Sequence, residues 1–227
     1  MTMIADNLHR VRERIAEACR QAGRPQEDVV LLAVSKTFGP DAVRAAYACG
    51  QTSFGENYIQ EAVEKIALLQ DLPLQWHCIG PIQSNKTRLV AAHFDWVQSV
   101  DRLKIAQRLS EQRPPELSPL NVCIQVNIDG GANKAGVAPR DALELARAVA
   151  QLPRLCLRGL MTIPEPAIDF VAACAIHTRA RALFDDLNTA GQNLDTLSMG
   201  MTGDLDAAVA SGSTMVRIGT AVFGGRH

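Results

Sequence analysis

Val29-Val30-Leu31-Leu32-Ala33-Val34-Ser35-Lys36 is the stretch from which the rest of the chain can be read. Six consecutive apolar residues fit a strand buried on both faces, as in a parallel sheet covered by helices. The flanking sequence agrees. Upstream, Ile4, Leu8, Val11, Ile15 and Ala18 recur at steps of three and four, the stripe of a helix, which Gly23 and Pro25 end. Downstream, Pro40-Asp41 opens a short helix carrying Ala42, Val43, Ala46 and Tyr47. The alternation then repeats to the end of the chain. Strands are predicted at 52–55, 75–80, 96–100, 121–128, 157–163, 196–199 and 215–218. Helices are predicted at 58–69, 85–92, 139–151, 168–190 and 205–210. One more, capped by Asp101, carries Leu103, Ala106 and Leu109. Repeated βα units imply a parallel sheet, and eight strands suggest closure into a (β/α)8 TIM-type barrel. An open doubly wound sheet is the alternative, because period alone does not report closure. No linker or composition shift divides the chain, and Pro114-Pro115 and Ser118-Pro119 mark a loop. The expected fold class is α/β, one barrel domain over residues 1–227.

Bulk properties exclude several classes of function. Hydrophobic residues are 47% and charged residues 21% of 227, which suits a globular chain with a real core. The net charge of −1 and the lack of a basic stripe argue against nucleic acid. The longest uncharged stretch, 72–85, is interrupted by Pro73, His77, Gly80 and Pro81, so it does not read as a membrane span. Asp6, Arg10, Arg12 and Glu13 precede any apolar run, which speaks against a secretory signal and for a cytoplasmic protein. The six cysteines form no C-x-x-C pair and are read as buried, inert hydrophobes. His77 and Cys78 are neighbours on a strand, point to opposite faces and do not share a metal. Trp76 and Trp96 are read as core, and the acid–arginine pairs on helices as solvated faces.

In such a barrel, functional groups sit at the C-terminal ends of strands. That filter selects Lys36, Asn57, Gly80, Ser99, Asn127, Met161, and the stretches 198–202 and 217–220. Lys36 ends a wholly apolar strand, where desolvation disfavours its ammonium form, and a neutral amine can attack an aldehyde to form an imine. The plain alternative is a solvated lysine at a strand end. Ser198-Met199-Gly200-Met201-Thr202-Gly203-Asp204 joins hydroxyls and glycines to a helix start, and Arg217-Ile218-Gly219-Thr220 adds another glycine and hydroxyl. The loops after strands 7 and 8 of barrels often hold phosphate, although such residues also build ordinary turns. Arg217 shares a face with Gly219. If that face lines the barrel mouth, the guanidinium needs an acceptor there; if it meets the helices, it is an ion-pair partner. The polar loop 130–136 either covers the site or turns the chain.

At these residues the chain resembles the pyridoxal phosphate homeostasis protein family. The resemblance is carried by Ala33-Val34-Ser35-Lys36-Thr37, Phe54-Gly55-Glu56-Asn57-Tyr58 and His77-Cys78-Ile79-Gly80-Pro81-Ile82-Gln83-Ser84-Asn85-Lys86. It continues in Asn133-Lys134-Ala135-Gly136-Val137, Arg158-Gly159-Leu160-Met161, Leu197-Ser198-Met199-Gly200-Met201 and Val216-Arg217-Ile218-Gly219-Thr220. It implies a fold type III barrel like the N-terminal domain of alanine racemase, with pyridoxal 5'-phosphate (PLP) held as an internal aldimine. Lys36 matches the Schiff-base lysine and Arg217 the arginine facing the pyridine nitrogen. Thr202, Gly219 and Thr220 match phosphate-binding positions, with Ser198 and Met199 close by, and Asn57 matches a residue near the ring. Thr202 stands where the family more often has serine, and Cys78 where it usually has an aromatic residue.

An arginine at the ring nitrogen does not protonate it, so the ring is a poor electron sink for a carbanion. Full racemases of this fold type add a second domain and a tyrosine base, whereas only Tyr47 and Tyr58 occur here. The expected function is therefore a PLP carrier in vitamin B6 homeostasis, a monomer that buffers PLP or delivers it to PLP-dependent apoenzymes. Two rivals remain at this level: an amino-acid racemase-like PLP enzyme, and a cofactor-free barrel lyase or aldolase using Lys36 as imine former.

Overall fold

The computed structural model describes residues 3–131 and 134–225. Strands β1 (Val30–Val34), β2 (Ser53–Glu56), β3 (Gln75–Cys78), β4 (Trp96–Val100), β5 (Leu120–Val126), β6 (Leu155–Thr162), β7 (Thr196–Ser198) and β8 (Met215–Ile218) pair in parallel in chain order. β8 then pairs back with β1, setting Leu32 against Arg217 and Ala33 against Ile218. That ring is a closed barrel, which rules out the open sheet. The outer layer holds α1 (Met3–Gln21), α2 (Pro40–Tyr47), α3 (Ile59–Ala67), α4 (Thr87–His93), α5 (Leu103–Gln112), α6 (Ala142–Ala150), α7 (Phe170–Thr189), α8 (Leu205–Ala210) and α9 (Thr220–Phe223).

Side chains alternate along each strand, so the apolar runs serve two compartments. Leu32, Val34, Ile79 and Met215 cluster within the barrel, as do Trp96, Cys123 and Met161. Ala33, Phe54, Val97 and Val122 face outward into the main core under the helices. Trp76 packs against Phe54 at 5.7 Å, and Trp96 stacks on His77 at 5.0 Å. Both tryptophans fill core space.

Several local expectations are corrected. Asp101 does not cap α5; the residue before the helix is Arg102, in extended backbone, and Asp101 pairs with its guanidinium at 2.6 Å. The segments at 85–92 and 139–151 each begin with a 3-10 turn, Ser84–Lys86 and Pro139–Asp141. The turn α9 was not anticipated. Only Cys19, Cys78 and Cys123 are buried, while Cys49 and Cys174 are half-buried and Cys156 is exposed at the uncovered start of β6. Burial pushes the Cys78 and Cys123 thiols up to about 12, so these two are inert. Among the described residues no helix is long and apolar enough to cross a membrane, and no cluster of three metal-binding side chains occurs. Ala132 and Asn133, part of the loop 130–136 and of the resemblance, lie outside the described residues.

Candidate functional site

A cavity of about 450 Å³ opens at the C-terminal rim of the barrel, a size suited to a small ligand. Six of the eight residues that the resemblance assigned to the site line it: Lys36, Asn57, Thr202, Arg217, Gly219 and Thr220. Lys36 follows β1 in the same alternation as Leu32 and Val34, so its half-buried side chain enters from the barrel side. Thr37 beside it has φ 68°, a left-handed conformation unusual for a β-branched residue. Asn57 follows β2, and its Oδ1 is buried without a protein partner. Gly80, after β3, makes room for it: a Cβ there would sit 2.2 Å from the Asn57 carbonyl oxygen. Ser99 fixes that segment by donating to the Gly80 carbonyl at 2.6 Å.

The two faces left open for Arg217 are now distinguished. It points into the barrel, only 4% exposed, and donates to Ser198 Oγ at 2.8 Å and to the Thr162 carbonyl at 2.7 Å. Burial lowers its pKa to about 10, against the usual 12.5, and the guanidinium stays charged at neutral pH. Because Arg217 can only donate, Ser198 must accept from it and spend its own proton on Gln98 Oε1, 2.6 Å away. The Gln98 amide nitrogen then donates to His77 Nδ1 at 3.0 Å, placing the imidazole proton on Nε2, 3.1 Å from Gln75 Oε1. Burial depresses the His77 pKa to about 3, so the ring is neutral. A chain of neutral groups thus fixes one buried cation.

The loop after β7 is pinned from outside. Gly200 has φ 96°, and a Cβ on it would collide with Ala208 at 2.5 Å. Asp204 accepts the Met201 N–H at 2.7 Å and lies 2.9 Å from His177 Nε2. Arg14 of α1 donates to the Thr202 carbonyl at 2.7 Å and clamps Asp206. Thr202 and Gly203 are left on the cavity wall. After β8, Gly219 precedes α9 and its carbonyl accepts the Val222 and Phe223 N–H groups at 2.9 Å each, while Thr220 opens that turn at the cavity. A Cβ on Gly219 would stand 3.2 Å from the Val34 carbonyl oxygen, so this glycine permits close passage of β8 past β1.

Ser198 and Met199 do not line the cavity. Ser198 is fully buried beneath Arg217, and Met199 points outward into the main core. Met161 lies deep in the barrel with Trp96 and Cys123, and Asn127 is used in its own loop, donating to the Gly131 carbonyl at 2.8 Å. That loop does reach the site: Lys134 donates to the carbonyl of Ile163, a wall residue, at 2.9 Å. Ile79, Ile163, Phe38 and Gly224 complete apolar parts of the wall that sequence reasoning missed. Phe38 and Gly224 belong to turns without periodicity, and nothing in the sequence singled them out. Among the described residues no carboxylate lines the cavity, while Lys36 and Arg217 both do. It is built for an anion.

Comparison with known proteins agrees with this geometry. The family described as alanine racemase, N-terminal domain, matches residues 7–227, so the chain is of the class built on that barrel. More narrowly, the chain belongs to the pyridoxal phosphate homeostasis protein family. The protein of that name from Pseudomonas aeruginosa is 61% identical over 226 residues, covering 100% of this chain and 97% of the relative. The one from Escherichia coli K12 is 52% identical over 229 residues, covering 100% and 98%. PipY of Synechococcus elongatus, solved with PLP bound, superposes with a TM-score of 0.86 at 38% identity, covering 98% of this chain and 100% of that one. Alanine racemase of Clostridium difficile, 15% identical with a TM-score of 0.71, shares the fold over 95% of this chain and 56% of its own.

Proposed function

We infer that this protein binds PLP and serves its homeostasis, with Lys36 as the attachment point. The carrying observation is the convergence of one lysine amine, one buried guanidinium and a rim of hydroxyls and glycines on a single cavity free of carboxylates. The donor set suits the group. Thr202, Gly203, Gly219 and Thr220 form a rim able to donate to a phosphate. Arg217 can face a ring nitrogen as a charged donor, and Asn57 brings a polar atom that lacks a protein partner. PLP supplies an aldehyde that condenses reversibly with a lysine amine. Arg217 itself holds its protons at neutral pH and does not hand one to the ring. Neither Tyr47 nor Tyr58 lines the cavity, so no tyrosine among the described residues is placed as a proton shuttle. These features support a carrier without efficient turnover; the proposal further takes it to work in the cytoplasm as a monomer and to pass PLP to PLP-dependent apoenzymes.

Borohydride reduction of the PLP-loaded protein, followed by peptide mass spectrometry, is expected to place a pyridoxyl group on Lys36. The visible absorption band should vanish in Lys36→Ala. An unmodified Lys36 peptide in the presence of PLP would end this reading, and rapid deuterium exchange at the α-carbon of amino acids would replace the carrier with a racemase-like enzyme.

A further inference from the structure

Behind Lys36, on the helix side of the barrel wall, lies a buried ion cluster. Ser35 is fully buried and donates from Oγ to Glu56 Oε1 at 2.6 Å. Its carbonyl accepts from Lys65 Nζ at 2.9 Å. Lys65, on α3 and 4% exposed, also meets Glu56 Oε1 at 2.7 Å and Glu61 Oε1 at 3.1 Å, so its three protons are all engaged. The same Glu61 oxygen accepts the Thr37 N–H at 2.8 Å. The carbonyl of Ser35 and the N–H of Thr37 belong to the two peptide units flanking Lys36. Both end on one ammonium–carboxylate cluster.

Two considerations give this arrangement a purpose beyond packing. A buried ion pair costs desolvation that well-packed apolar residues avoid, so its worth lies in specific geometry more than in stability. The geometry it holds is also disfavoured, since Thr37 adopts φ 68°. We propose that Glu61, itself held by Lys65, is a positioning residue for Lys36: it locks the 35–37 turn in the conformation that delivers the amine into the cavity. The inference rests on Lys36 being the capturing amine. In that step Nζ of the neutral amine adds to the aldehyde carbon, its two protons pass to the carbonyl oxygen, and that oxygen departs as water, leaving a C=N bond. Such an addition is sensitive to how the amine is held over the carbonyl carbon.

Glu61→Ala tests this, because the Glu61 side chain is 37% exposed and Lys65 keeps Glu56 and the Ser35 carbonyl as partners without it. Covalent capture of added PLP, followed by stopped-flow absorbance, is expected to slow about tenfold, equivalent to about 1.4 kcal/mol of barrier. Without PLP, hydrogen exchange of the Thr37 amide should rise by about tenfold or more on losing its acceptor. The double variant Glu61→Ala/Thr37→Gly should recover most of the rate relative to Thr37→Gly alone, since glycine adopts a positive φ without an anchor. A wild-type protein that never forms the band overturns Lys36 as the capturing amine. Capture by wild type, with Glu61→Ala within about twofold of it, refutes the positioning role alone, as does a slowed Glu61→Ala that glycine fails to rescue.

Discussion

Replacing Ser198 by alanine removes one oxygen and leaves the backbone and Cβ in place, so its effect isolates the hydrogen bonds beneath the cavity. Arg217 loses its 2.8 Å acceptor, a charge-assisted bond in a site sealed from solvent. Such a bond contributes about 1.5–3 kcal/mol, and the guanidinium keeps only the Thr162 carbonyl for company on that side. Gln98 Oε1 simultaneously loses its 2.6 Å donor, leaving a buried amide oxygen unsatisfied at a cost of about 1–3 kcal/mol. The two losses share one atom and do not add in full, so about 3 kcal/mol of stability should disappear. Urea unfolding of the protein without PLP measures it directly: the midpoint should fall while the slope stays constant, because the area exposed on unfolding hardly changes. A loss under about 1 kcal/mol would show that Arg217 finds another acceptor at little cost, and the account of a cation fixed by neutral groups would be wrong.

Gly80→Ala drives a Cβ to 2.2 Å from the Asn57 carbonyl oxygen. It should cost about 2 kcal/mol or more in urea unfolding and weaken PLP binding by displacing Asn57; an unchanged midpoint would contradict the close approach. His77 titrates near 6.5 when unfolded but near 3 in the fold, so below pH 6.5 the unfolded chain binds the extra proton. Its contribution is complete above pH 6.5 and is lost as pH falls towards 3, at up to about 1.4 kcal/mol per pH unit. His77→Gln should flatten the acid limb of the stability profile relative to wild type, and parallel limbs would refute the assignment.

The barrel was legible because burial on both faces makes strands such as 30–34 wholly apolar and 120–126 apolar but for Asn121 and Gln125. Closure was suggested by the count of eight βα units and is borne out, although it depends on β8 reaching β1 and no local pattern encodes that. The strand-end rule found Lys36, Asn57 and Arg217 because alternation puts them in phase with inward residues. It also admitted Met199, one residue out of phase with Ser198, because the chain does not announce which parity faces inward. The Glu56–Lys65 pair escaped for a different reason. Glu61 and Lys65 at i, i+4 look like any solvated helix pair, and only the packing of α3 against the ends of β1 and β2 removes water from the lysine. Burial there raises the Glu56 carboxyl even with Lys65 beside it.

The seam between β1 and β8 has a consequence for the life of the protein. The strand that leads to Lys36 and the strand that carries Arg217 lie far apart in sequence yet pair edge to edge, and Phe38 stacks on Phe223 across that join at 5.0 Å. With β1 to β7 alone the cavity has Lys36 but lacks Arg217, Gly219 and Thr220, so one side of it is missing. On the function proposed above, the cofactor is held only where β8 has joined β1, so retention of the ligand reports that the ring is sealed.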